Sequence, residues 1–186
     1  MNIIIDLLIY TGKCIYSTLP PIFANMAPII TQKIKILNYP LDFGLKIKGK
    51  PVLGPKKTFR GLISGILFSM VIMNIEFLIY KFTPFKTLTI FDFETINFQA
   101  LAFLMGFGVI FGDSVESFIK RRLEIPPGKK FIPWDQLDCV LGGLSFGRIV
   151  WPFPIKYGII IIIATFFIHI TIRHIAYYLG INETKW

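Results

Sequence analysis

Three carboxylates and two basic clusters stand at spacings suited to holding a metal ion beside phosphate groups. Asp113 follows Gly112 at the end of an apolar run, residues 101–111. If the helix continues, Asp113 shares one stripe with Glu116, Ser117 and Lys120. A carboxylate, a hydroxyl and an ammonium on one stripe could bind metal and phosphate together; a solvated helix end with a local salt bridge fits the same pattern. Asp135 and Asp138 follow Pro133-Trp134, and acidic residues at a helix start favour the positive end of its dipole. Asp135 alone reads equally well as a cap. Asp138 stands one turn inside an apolar stretch, where an ionisable side chain is costly and points to function. With no histidine nearby, an all-oxygen set of Asp113, Asp135 and Asp138 suits a hard cation such as Mg²⁺ better than zinc.

The basic partners lie in two places. Lys56, Lys57, Thr58 and Arg60 sit between Gly54 and Gly61, a turn-prone segment suited to phosphates. The spacing of a Walker loop is absent, and lysines holding anionic headgroups would explain the composition as well. Lys120 and Arg121 form the second cluster. Asn25 is polar beside helix breaks; Pro21 and Pro28 argue against an unbroken helix there, which would place Asn25 on a cavity reached by a lipid headgroup. Asp42, the lone acid in the most basic loop, fits a turn or ion pair as readily as a site. His169, Arg173 and His174 form a stripe expected to snorkel at the interface.

These residues must be positioned by a membrane domain. Hydrophobic residues make up 54% of the 186, more than a soluble domain of this size carries. The expectation is an all-α integral membrane protein, one domain over residues 1–186 with no separate soluble unit. Five apolar segments approach the roughly 20 residues that a spanning helix needs: about residues 3–30, 61–82, 98–118, 136–151 and 155–178. Lysines and arginines concentrate after the first and third segments, with Arg173 and Lys185 at the C-terminal end. The positive-inside rule then makes both motif loops and the C-terminus cytoplasmic and the N-terminus external. On this reading the formal charge of +9 reports topology and not nucleic-acid binding. Glycines four apart (Gly61 and Gly65, Gly108 and Gly112, Gly143 and Gly147) suit close helix packing. Residues 81–97 read as a plain external linker. Cys14 and Cys139 form no disulfide or zinc pattern, and the N-terminus lacks the pattern of a removable signal peptide.

Gly112-Asp113, Glu116-Ser117, Ile119-Lys120-Arg121 and Asp135-x-x-Asp138 resemble the signature of CTP-dependent phosphatidate cytidylyltransferases. Pro55-Lys56-Lys57-Thr58-Phe59-x-Gly61 is similar to that superfamily's lysine-lysine-threonine-aromatic segment. The match is to its small archaeal branch, the CDP-archaeol synthases, through Ala24-Asn25-Met26-Ala27-Pro28, Leu41-Asp42-Phe43-Gly44 and Pro133-Trp134-Asp135-Gln136-Leu137-Asp138. It covers nearly the whole chain. Two departures stand out: residues 129–134 replace a Pro-Gly-His-Gly-Gly segment of the larger bacterial enzymes, and Gly54-Pro55-Lys56-Lys57 replaces the branch's glycine-aspartate-glycine-lysine.

The resemblance implies transfer of a cytidylyl group from CTP to 2,3-bis-O-geranylgeranyl-glycerol 1-phosphate, an isoprenoid ether-lipid phosphate in the bilayer. Asp113, Asp135 and Asp138 would hold Mg²⁺, Lys56, Lys57, Thr58 and Arg60 the CTP phosphates, and Ser117, Lys120 and Arg121 the rest of the polar pocket. Asn25 would face the lipid headgroup. A CDP-alcohol phosphotransferase also uses metal-binding aspartates at a membrane surface, but its aspartate spacing is absent. A small transporter or anionic-lipid-binding protein would depend on loop charge and not on individual aspartates.

Overall fold

The prolines that interrupt the first apolar segment sort it into two helices. In the computed structural model, which describes residues 3–126 and 129–178, α1 (Ile3–Tyr16) ends at Ser17-Thr18 and α2 (Leu19–Ile30) begins beyond. Pro20 and Pro21 fall in the first turn of α2, where a missing N–H removes no helical hydrogen bond. Pro28, expected to break the helix, does not: α2 runs on through it. Pro28 withdraws the donor that the Ala24 carbonyl would otherwise use, and Gly65 packs close to that carbonyl; a Cβ there would lie 3.3 Å from it. Lys185 and the side chain of Arg173 lie outside the described residues.

Four more α-helices follow among the described residues: α3 (Phe59–Phe82), α4 (Phe98–Arg122), α5 (Trp134–Gly147) and α6 (Ile155–Tyr178). Thr58 caps α3 by accepting from the Gly61 N–H at 3.2 Å, and Asn97 caps α4 through the Ala100 N–H at 3.1 Å. The α2–α3 connection carries a small antiparallel hairpin, β1 (Lys46–Ile47) and β2 (Lys50–Pro51). Helix α4 is central and packs against α2, α3 and α5, while α6 packs against α1 and α5. It also extends beyond the expected end of its apolar segment to Arg122, which keeps Ser117, Lys120 and Arg121 on regular helix.

The bundle is apolar on its outside. Helix α3 buries Gly61, Ser64, Gly65 and Ser69 while Ile63, Leu67, Val71, Ile75 and Leu78 are exposed. Small and hydroxylated residues inside, with branched apolar residues outside, is the arrangement expected where the solvent is lipid. Among the described residues, α3 and α4 are long and apolar enough to cross a membrane; Leu19–Ile30 and Ile155–Thr171 are shorter apolar helices.

The connection expected to be a plain linker is part of the core. Phe91 and Phe93 are buried in a cluster with Met73, Leu101, Ala102 and Met105. The Phe91 ring lies 4.8 Å from that of Trp151, and Ser17 and Thr89 share a buried hydrogen bond of 3.0 Å. Aromatic residues in the connection cap the bundle from the end opposite the motif residues.

Candidate active site

The close approach of α4 and α5 creates the site. A Cβ added to Gly112 would collide with the Asp138 carbonyl, and one on Gly142 with the Gly108 carbonyl. Only glycine lets the two backbones meet there. Asp113 on α4 and Asp138 on α5 are thereby carried to the same point. One carboxylate oxygen from each of Asp113, Glu116 and Asp138 lies within 4.8 Å of the others.

This trio differs in one member from the expected Asp113, Asp135 and Asp138. Asp135 is engaged elsewhere: its Oδ1 accepts from Lys120 and its Oδ2 from the Phe131 N–H at 2.6 Å. Lys120 also lies 2.6 Å from Glu116 Oε1, so it ties the start of α5 to the stripe on α4. Glu116, Ser117 and Lys120 are all buried, as their shared helical face predicts. The donor set at the trio is all oxygen, and three carboxylates on two helices fit a hard divalent cation.

The basic loop reaches the trio through Lys57, whose Nζ is 2.6 Å from both oxygens of Asp113. Its backbone is organised by Asp42. That buried carboxylate accepts N–H groups from Leu53 (2.8 Å), Gly54 (3.1 Å) and Gly44 (3.0 Å). Burial pushes its pKa up, but these hydrogen bonds outweigh burial and hold it below the ordinary carboxylate value. Gly54 adopts φ +100°, which a side chain would strain. Asp42 is therefore a turn residue that shapes the phosphate-suited loop.

Two expected phosphate ligands are placed elsewhere. Thr58 is consumed as the α3 cap, and Arg60 donates to the carbonyls of Gln32 (3.1 Å) and Ile34 (2.6 Å). Neither lines the cavity, because the helix that begins at Phe59 turns both away from Lys56 and Lys57.

The cavity measures about 990 Å³, large among sites for small molecules. Among the described residues, six cationic side chains line it (Lys56, Lys57, Lys120, Arg121, Lys129 and Lys130), with four carboxylates (Asp113, Glu116, Asp135 and Asp138). Lys57 and Lys120 are paired with acids, whereas Lys56, Arg121, Lys129 and Lys130 have no ion pair among the described residues. Those four are available to a polyanion. Ser117 and Asn25 also reach the cavity, and the Cys139 thiol donates to Asn25 Oδ1 at 3.1 Å. On its other side Asn25 borders a small apolar pocket between α2, α4, α5 and α6, lined by Met105, Val109 and Leu144. His169, expected to snorkel at the interface, lines the polar cavity as well. No local signal reveals this, since only the return of α6 past α5 brings it there.

A helical bundle with an apolar exterior and a cavity of carboxylates and lysines at one end defines a membrane protein built to handle phosphorylated molecules. The chain belongs to the CarS-like family of CDP-archaeol synthases, whose family model matches residues 4–186. It is 41% identical over 148 residues to the CDP-archaeol synthase of Methanocaldococcus jannaschii, covering 79% of this chain and 83% of that protein. The Archaeoglobus fulgidus CDP-archaeol synthase is 34% identical over 152 residues (79% of this chain, 84% of the relative), and that of Pyrobaculum islandicum 32% over 168 (90% and 93%). The fold is also similar to a solved structure described as an intramembrane enzyme for archaeal membrane lipids biosynthesis. The TM-score is 0.67 at 24% identity, over 84% of this chain and 90% of that one.

Proposed function

We propose that this protein transfers the cytidylyl group of CTP to 2,3-bis-O-geranylgeranyl-glycerol 1-phosphate, giving CDP-archaeol and pyrophosphate. The observation that carries the reading is the meeting of Asp113, Glu116 and Asp138 beside Lys57 in one polar cavity, in a chain of the CDP-archaeol synthase family. A lipid phosphate oxygen attacks the α-phosphorus of CTP, and the bond from that phosphorus to the bridging oxygen of the β-phosphate breaks. Pyrophosphate leaves with the electron pair. A phosphate monoester with a second pKa near 6 is already largely dianionic at neutral pH, so the protein need not supply a strong base.

The side chains then have two tasks: to hold two polyanions together and to offset charge on the leaving group. Lys56, Arg121, Lys129 and Lys130 supply the unpaired positive charge around the triphosphate. Lys57 and Lys120, held by carboxylates, keep fixed positions on the cavity wall. Asp113, Glu116 and Asp138 are the residues that would hold Mg²⁺, with Asp135 orienting Lys120. A Mg²⁺ ion there would neutralise charge on the CTP phosphates. Asn25, between the polar cavity and the apolar pocket, faces the lipid headgroup.

The topology of the reading is five spans, with α1 and α2 together forming the first. The motif loops and C-terminus are cytoplasmic and the N-terminus external, supported by the distribution of lysine and arginine. The test is an assay of the purified chain with CTP, Mg²⁺ and either the ether-lipid phosphate or a diacyl phosphatidate. Metal-dependent CDP-lipid from the ether substrate is the expected result. Product from the diacyl lipid alone would overturn the substrate assignment, and no product from either, in folded protein, would overturn the activity.

A further inference from the structure

The α2–α3 connection carries a surface that the transfer reaction does not use. Ile34, Ile36, Tyr39, Phe43, Leu45 and Ile47 are all exposed, Ile36 at 73% and Phe43 at 75%. Lys33, Lys35, Lys46 and Lys48 are interleaved with them, are exposed, and form no ion pair among the described residues.

This arm is held in shape. Lys48 and Gly49, both at positive φ, form the tight turn of the hairpin. Arg122 at the end of α4 donates to the carbonyls of Ile47, Lys50 and Pro51. Asp42 pins the base of the arm. The apolar side chains are thus displayed on a braced scaffold.

The level of the arm is set as well. The Phe59 N–H donates to the Tyr39 carbonyl at 3.0 Å, and the Arg60 N–H to the Leu37 carbonyl at 2.8 Å. The arm therefore starts beside the first turn of α3, where that membrane-length helix begins. An apolar groove of about 380 Å³ adjoins it, with Leu41 and Leu53 facing Leu62, Phe107, Phe111 and Phe118 of α3 and α4.

We propose that residues 33–48 dock on the anionic surface of the bilayer that α3 and α4 enter. The apolar side chains would sit at the boundary of headgroups and hydrocarbon, and the lysines would meet the lipid phosphates. Alternation along the strand places Leu45 and Ile47 on one face and Lys46 on the other, and Lys48 stands in the turn at the tip, so apolar and cationic side chains are displayed side by side. The same arm carries the Asp42-braced turn that delivers Lys57 to Asp113. Docking therefore fixes the height of the cavity wall relative to the leaflet that holds a lipid-phosphate substrate.

The proposal rests on the membrane reading above, and its test separates the two. The full chain is reconstituted in nanodiscs of neutral lipid or of neutral lipid mixed with anionic phosphatidylglycerol, and amide hydrogen exchange is followed over residues 33–48. We expect exchange about tenfold slower in the anionic discs, with high salt reversing the difference. The variant Lys33→Gln, Lys35→Gln, Lys46→Gln, Lys48→Gln is expected to lose it while keeping wild-type turnover in neutral discs. Equal exchange in both discs, or equal slowing in the quadruple variant, would overturn the proposal and leave the membrane reading standing. A folded chain that does not enter the discs would overturn both.

Discussion

Replacing Gly112 with alanine should disable the site without adding or removing a polar group. The new Cβ would fall 2.9 Å from the Asp138 carbonyl carbon and nearer still to its oxygen, whereas ordinary contact begins at 3.4 Å. Both atoms are backbone, so no rotamer change relieves the clash and α5 must withdraw from α4. A shift on the order of 1 Å at reacting groups can lower turnover about 100-fold. The shift here falls on Asp138, which leaves its trio with Asp113 and Glu116. Overpacking of this kind costs about 1–3 kcal/mol of stability, which thermal unfolding in detergent would report. Gly12→Ala is the control, because nothing lies within 4 Å of the added carbon. Turnover at saturating CTP should fall about 100-fold in Gly112→Ala and stay at the wild-type level in Gly12→Ala. Wild-type turnover in a folded Gly112→Ala protein would refute the claim that this seam positions the carboxylates.

Glu116→Gln and Asp138→Asn should each lower turnover about 100-fold or more and raise the Mg²⁺ concentration needed for half-activity. Asp135→Asn should lower turnover with little change in that Mg²⁺ requirement; an Asp135 effect equal to that of Glu116 in a Mg²⁺ titration would return Asp135 to the ligand set. Asp42→Asn leaves backbone donors facing an amide and should cost about 1–3 kcal/mol in the loop, weakening CTP binding in a calorimetric titration while the helices melt as before. Because the folded-state pKa of Asp42 is lowered, its stabilisation is fully present above the unfolded value near 3.9 and is lost as pH falls through the lower folded value. Loop exchange should therefore accelerate only in strong acid. Arg60→Ala should lower stability through the freed carbonyls of Gln32 and Ile34 and leave the KM for CTP unchanged, since Arg60 does not line the cavity.

Helical periodicity is enough to place Asp113, Ser117 and Lys120 on one stripe, half-buried at Asp113 and buried at Ser117 and Lys120, because spacing along one helix is a local property. That Glu116, and not Asp135, stands beside Asp113 and Asp138 is not a local property. It depends on the register of α4 against α5, which the contacts of Gly112 and Gly142 fix. The roles of Thr58 and Arg60 follow from where α3 begins: it starts at Phe59, two residues before the expected position, so Thr58 becomes its cap and Arg60 falls in its first turn. Phe91 and Phe93 leave no mark in the sequence pattern, because two buried rings in a short connection carry no periodic signal. His169 reaches the cavity through the path of the last helix, a tertiary fact with no trace in its neighbours.

The central claim is that the α-phosphorus of CTP passes to the lipid. CTP labelled at the α-phosphate and CTP labelled at the γ-phosphate should be compared in parallel, with Mg²⁺ and the ether-lipid phosphate, and the lipid phase extracted. The α-label is expected in the lipid and the γ-label only in water-soluble pyrophosphate and unreacted CTP. Label from the γ-phosphate in the lipid would instead mean phosphoryl transfer, and lipid free of both labels would mean no transfer at all; either result would contradict the account.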